Sequence, residues 1–374
     1  MTEVRRNLEY EYVFATNSQG LRSKEIPLRK PDGIRRIFVA GDSFTEGIGV
    51  ADGERYTDVL EGLLRAEGQE IDVINGGLAG TGPLQQGRLL LNVGLQYGVD
   101  GVLIAVYAND LGDLPASVSV KEVYAAPSGH YSSSPGKQEG GRALTGLLWP
   151  RTKTALGTLF EKLQYRRWTR TFDFVRTITQ EANRRGIERE RIEEWKTKVP
   201  RGLVTATNKG EFNGALLSIP LLYPAFWTDC LDLDSEVAEG KWRGMAGILT
   251  EIVNVIRGLG IEVGVAFLPV SLQYDPASHD PDNPSIRLGW RTRREWLVEA
   301  TEIEKRLEAW ARENKAPYLD LTPVFRAASG GERELNWKLD GHWNAEGHRV
   351  AAQAIYQWIR AGRVFSFVEG RRNG

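Results

Sequence analysis

The sequence predicts an α/β protein built on a parallel sheet, and three observations carry that expectation. Short apolar runs with no alternating polar face recur at 37–40, 71–74, 99–106, 261–268 and 317–321, as in strands buried on both sides. Between most of them lie stretches of helical spacing, the alternation that joins parallel strands by right-handed crossovers. At 374 residues, the chain can hold one large domain, or one domain with a big insertion.

Residues 1–30 read as a lead-in. Positions 10–14 are a short aromatic β-type run, and Asn17-Ser18-Gln19-Gly20 and Lys30-Pro31-Asp32-Gly33 are turn signals. The first sheet strand, 37–40, runs into Gly41-Asp42-Ser43-Phe44. Val59, Leu60, Leu63 and Leu64 give 57–67 a helical apolar face. Strand 71–74 leads into a loop from Asn75 to Gly82, and Pro83 suits the first turn of a helix continuing to about residue 97. Strand 99–106 ends in Tyr107-Ala108-Asn109-Asp110.

The alternation then breaks, because the next strand, 261–268, is much farther on than a crossover requires. Residues 115–235 are expected to form an insertion at the carboxyl edge of the sheet. It comprises a Pro/Ser/Gly-rich stretch at 127–141, a charged helical stretch at 154–198 and a loop-rich aromatic stretch at 212–227. Its Trp149, Trp168, Trp195, Tyr223, Phe226 and Trp227 either line a substrate cleft or form the insertion's own core. A helix at 236–259 returns the chain to the sheet. A long helix at 290–314, the strand 317–321 and a last helix at 345–361 follow, so 31–114 and 236–374 together make the α/β domain.

Composition narrows the function classes. A formal net charge of −1 gives no global field for nucleic acid or an anionic membrane. The single cysteine, Cys230, rules out an internal disulfide and a cysteine-based zinc site. The amino terminus lacks the apolar core of a signal peptide, and no apolar run approaches the ~20 residues that span a bilayer. The chain is expected to be soluble, either cytoplasmic or exported or anchored with its leader removed.

Four strand-end turns carry special residues, and in a parallel sheet such turns share one edge. Ser43 follows strand one, Gly80 strand two, Asn109 strand three, and Asp340 with His342 strand five. These types suit acyl transfer. A serine needs an adjacent base, and His342 is the candidate. Asp340, two residues before it, leaves the same face of an extended segment and can orient the ring. The N–H groups of Ser43 and Gly80 and the amide of Asn109 can meet a developing oxyanion. Taken singly, Ser43 is a helix N-cap, Asn109 a turn residue and the Asp340–His342 pair a surface pair or two metal ligands. The four blocks together favour catalysis, with no metal or organic cofactor. Asp42 is expected to fix the loop through its side chain. It, Tyr107 and Trp343 are candidates for lining the substrate. His348 is expected to be structural or at the surface; His130 and His279 receive no role.

Gly41-Asp42-Ser43-Phe44, the segment from Asn75 to Gly80, Asn109-Asp110 and the segment from Asp340 to His342 resemble, in order, the four blocks of the SGNH (GDSL-type) hydrolase superfamily. The resemblance covers roughly 34–113 and 255–362. It implies a flavodoxin-like three-layer α/β/α sandwich with a five-stranded parallel sheet and a large insertion after strand three. It also implies Ser43 as nucleophile, Gly80 and Asn109 as oxyanion donors, His342 as base and Asp340 as its orienter. Two positions depart from the pattern. Tyr107 stands where the third block usually has glycine, and Asp340 and His342 are spaced by two rather than three. The shorter Asp-x-His form, followed by Trp, occurs in members resembling polysaccharide O-acetyltransferases. The expected activity is therefore hydrolysis of an O-acyl ester, small-molecule or saccharide. Acyl transfer to a carbohydrate with the same residues, or ester binding without catalysis, is the alternative.

Overall fold

The computed structural model describes residues 2–114, 173–329 and 333–368. Two strands, β1 (Thr2–Arg6) and β2 (Glu11–Ala15), form an antiparallel hairpin. The central sheet comprises β3 (Arg35–Gly41), β4 (Ile71–Gly77), β5 (Gly101–Tyr107), β6 (Glu262–Leu268) and β7 (Tyr318–Asp320). Its order is β4-β3-β5-β6-β7 and every pairing is parallel. The order reverses at β3 and β5, so the crevice at the sheet's carboxyl edge opens beside the end of β3.

The strands are apolar on both faces because helices cover both. All seven residues of β5 are buried, as are all of β3 except Arg35. The helices Tyr56–Ala66 and Ala345–Arg360 pack together on one face. Pro83–Asn92, Glu236–Gly258 and Glu302–Glu313 cover the other. The result is a three-layer α/β/α fold.

Several elements differ from expectation for local reasons. The helix expected at 290–314 is a 3-10 turn, Arg294–Leu297, followed by the helix Glu302–Glu313. The later start is set by a capping box in which Thr301 and Glu304 satisfy each other's backbone N–H groups. The helix beginning at Pro83 stops at Asn92 and tightens into a 3-10 turn, Gly94–Tyr97. Within 154–198 the described part is two helices, Phe174–Arg184 and Arg189–Lys198, broken by Gly186 at φ 71°. The stretch expected to be loop-rich holds the helices Ala215–Leu222 and Phe226–Asp232; Pro220 lies inside the first, in its last turn, and leaves the Leu216 carbonyl without an i→i−4 donor.

Phe174, Ile192, Trp195, Phe212, Leu217 and Leu221 form an apolar cluster separate from the main core. Trp195 belongs wholly to that cluster, its indole N–H donating to the Leu217 carbonyl at 2.8 Å. The Pro/Ser/Gly-rich stretch, His130, Trp149 and Trp168 lie outside the described residues.

Candidate active site

The strand-end turns converge because side chains tie each to the next. At the end of β3, Asp42 is the N-cap of the one-turn helix Ser43–Glu46, accepting the Phe44 N–H at 2.9 Å. The cap position is therefore taken by Asp42, and Ser43, one residue on, keeps its hydroxyl free of that duty. Asn75, inside β4, donates to the Thr45 carbonyl (2.6 Å) and Thr57 Oγ1 (2.9 Å) and accepts from Gly77 N–H (2.9 Å). Leu78 N–H reaches the Gly41 carbonyl at 3.0 Å. Gln86 bridges the next pair of turns, donating to the Thr81 carbonyl at 3.0 Å and Asp110 Oδ1 at 2.9 Å. Asp110 in turn accepts the Tyr107 N–H at 3.0 Å.

Asp340 and His342 do not follow the last strand directly, since the helix Thr322–Ala328 intervenes. They reach this edge from the loop before the helix Ala345–Arg360, where His342 Nε2 lies 2.8 Å from Ser43 Oγ. The ring's other nitrogen hydrogen-bonds Asp340 Oδ1. Ser43, Gly80, Asn109, Tyr107, Asp340 and His342 all border one cavity of about 1030 Å³. Gly80 has φ 69°, a conformation that favours glycine, and no atom lies within 4 Å of where a Cβ would stand. Its backbone is thus open to the cavity. Asn109 precedes a one-turn helix without capping it, and its Oδ1 has no hydrogen-bond partner among the described residues.

The electrostatics follow from burial and charge. Burial alone would raise Asp340, but the charge and hydrogen bonds of His342 outweigh it and hold the carboxyl below its ordinary value. Burial would likewise lower His342, and the Asp340 carboxylate reverses this and holds the imidazole above its ordinary value. Asp42, fully buried, is pushed up to about 7. His348 is also buried. Its Nδ1 accepts the Tyr56 N–H at 3.2 Å, and burial with the nearby His342 lowers it to about 3, which keeps the ring neutral.

Of the candidate substrate-lining residues, Tyr107 borders the cavity, its ring stacked on Phe44 at 3.8 Å between centroids. Asp42 and Trp343 do not border it. Asp42 is occupied with its cap, and Trp343 is completely buried against Phe325 and Phe44. Phe226 and Trp227 border the cavity as well, whereas Tyr223 does not and is hydrogen-bonded to Asp229. Among the described residues no three His, Cys, Asp or Glu side chains cluster in metal-binding geometry.

Two contributions had no sign in the sequence. Arg22, buried in the lead-in, donates to the carbonyls of Glu46 (3.1 Å), Gly47 and Val50 (2.6 Å), clamping the loop after Ser43. Asn7 and Tyr10 both donate to Asp340 Oδ2, at 2.9 and 3.0 Å. The Asn7 pair spans 333 positions, and no local pattern points across such a distance.

No family model matches the sequence and no curated protein matches it. Among solved structures, the chain is similar to a lipase/acylhydrolase from Enterococcus faecalis, at 15% identity and TM-score 0.37, covering 88% of this chain and 97% of that one. It is similar to an acetylxylan esterase from Geobacillus stearothermophilus at 13% identity and TM-score 0.38, over 87% and 94%. A protein assigned to the lipolytic G-D-S-L family from Desulfitobacterium hafniense DCB-2 has 13% identity and TM-score 0.37, over 86% and 98%. Overlaps this loose say nothing about chemistry.

Proposed function

We propose that the protein is a serine esterase of the SGNH type that cleaves an O-acyl ester in two steps. The observation that carries this reading is the chain of contacts from Ser43 Oγ to His342 Nε2 at 2.8 Å, and from the far side of the ring to Asp340. Ser43 Oγ attacks the ester carbonyl while His342 Nε2 takes its proton, and Asp340 stabilises the imidazolium. The tetrahedral oxyanion sits against the N–H groups of Ser43 and Gly80 and the amide of Asn109. Collapse breaks the bond to the alcohol, which leaves with the proton from His342. Water, deprotonated by the same ring, then releases the acid and restores Ser43.

A cavity of about 1030 Å³ is far larger than an acetyl group needs and leaves room for a bulky alcohol such as a saccharide. The same volume would admit a second hydroxyl in place of water, so transfer to a carbohydrate is the second reading. Residues 115–235 are the part we assign to choosing the alcohol.

The purified protein should hydrolyse short-chain aryl acetates and take up a fluorophosphonate label, and Ser43→Ala should abolish both. A folded wild-type protein that does neither would leave ester binding as the surviving reading. Full activity in Ser43→Ala would remove Ser43 as nucleophile. Adding oligosaccharide and following acetylated product separates transfer from hydrolysis.

A further inference from the structure

The turn of the N-terminal hairpin, residues 7–10, touches the loop that carries Asp340 and His342 at four points. Asn7 Nδ2 and the Tyr10 hydroxyl donate to Asp340 Oδ2. In the other direction, Glu9 Oε2 accepts the backbone N–H groups of Leu339 (2.9 Å) and Asp340 (2.8 Å). The Tyr10 ring also lies 5.4 Å from that of Trp337. The hairpin grips the nucleophile's side too: Arg5, held over the Phe14 ring at 3.4 Å, faces Glu46 at 3.6 Å, three residues past Ser43. Exposed apolar residues on the hairpin (Val4, Leu8, Val13) show that it has little core of its own. Its ordered contacts are concentrated where the two halves of the site meet.

We propose that this turn positions the active-site carboxylate, with Asn7 and Tyr10 fixing Asp340 Oδ2 so that Oδ1 stays aligned on His342 Nδ1. The proposal rests on the triad reading above and adds two positioning residues to it. Asp340 Oδ2 faces away from the imidazole and would otherwise let the carboxylate rotate. Two donors from one turn hold it in a single orientation, and the Glu9 contacts hold the backbone beneath it. Tyr10 can serve as a donor throughout the working range, because burial and then the Asp340 charge push its hydroxyl well above the ordinary phenol value. The charged or titratable groups around the pair are Asp42, Glu46 and His348 about His342, and Tyr10 and Glu9 about Asp340.

The test compares wild type with Tyr10→Phe and Asn7→Ser, each checked for folding by thermal melting. Each variant should lose about tenfold in kcat on an aryl acetate, the scale of one hydrogen bond to a charged group, with KM nearly unchanged. Each also removes a positive dipole end from Asp340, so the site becomes more negative and the His342 titration should move up by about half a unit. That shift would appear in the acidic limb of kcat/KM and in NMR titration of the four histidines. A double variant should lose more than either single one. Folded variants with wild-type kcat and an unmoved His342 titration would overturn the proposal. The NMR arm needs no turnover, so an inactive wild type would sink the esterase reading while the titration still decides whether the turn controls the pair.

Discussion

Asn109 shows how a single side chain can be told apart from its common structural use. An asparagine before a helical turn is ordinarily a cap, yet its side chain makes no capping bond and its Oδ1 lacks a partner among the described residues. Ser43 is the parallel case, since the cap it could have supplied comes from Asp42. Both residues border the cavity. If Asn109 donates to the oxyanion, Asn109→Ala should lower kcat by roughly 10²–10³-fold while the melting temperature hardly moves, because no structural bond is lost. Steady-state kinetics beside a thermal melt decides it: a large loss of stability with kcat intact would return Asn109 to the role of a turn residue.

At the scale of elements, the strand-end turns were legible because each signal is local. An apolar run ends, small polar residues follow, and the three turns after β3, β4 and β5 share one edge because the strands are parallel. Ser43, Gly80 and Asn109 could be picked out for that reason, whereas Asp340 and His342, expected in the turn ending the last strand, lie beyond the helix Thr322–Ala328 that follows it. Element ends were less legible where a side chain rather than periodicity sets them, as Thr301 and Glu304 do for the helix Glu302–Glu313. The close approach of β4 to the nucleophile turn was also hidden, since it depends on what Gly77 lacks. A Cβ there would run into the backbone of Thr45 and Glu46, inside the one-turn helix that starts at Ser43. Gly77→Ala should therefore cost about 1–3 kcal/mol and lower kcat as well, because the helix must shift to make room. Gly62→Ala, on the helix Tyr56–Ala66 with no atom near the added carbon, is the control and should be neutral or slightly stabilising. Equal effects from the two substitutions would show that the Gly77 contact is not what holds the turn.

For the molecule as a whole, what the sequence concealed was contact between its distant parts. Residues 1–30 read only as a lead-in, yet Asn7, Glu9 and Tyr10 meet Asp340, and Arg22 clamps the loop after Ser43. His348 joins the halves in the same way: the last helix turns it, buried, onto the first turn of Tyr56–Ala66. That junction makes stability depend on pH. The ring's folded value is lowered to about 3 from the ordinary 6.5, by burial and then by His342, so the unfolded chain takes up a proton that the folded protein refuses. The contribution is fully present above pH 6.5 and is lost progressively as the pH falls toward 3. Asp340, also depressed, acts in the same sense at the acidic end, while His342, raised, opposes it by favouring the folded state as the pH falls through its own value. His348→Gln keeps an acceptor for the Tyr56 N–H and removes the titration. Urea unfolding at pH 7 and pH 4 should then show a stability drop smaller than wild type by on the order of 2 kcal/mol. An unchanged drop in the variant would mean that the acid sensitivity arises elsewhere and that this junction does not carry it.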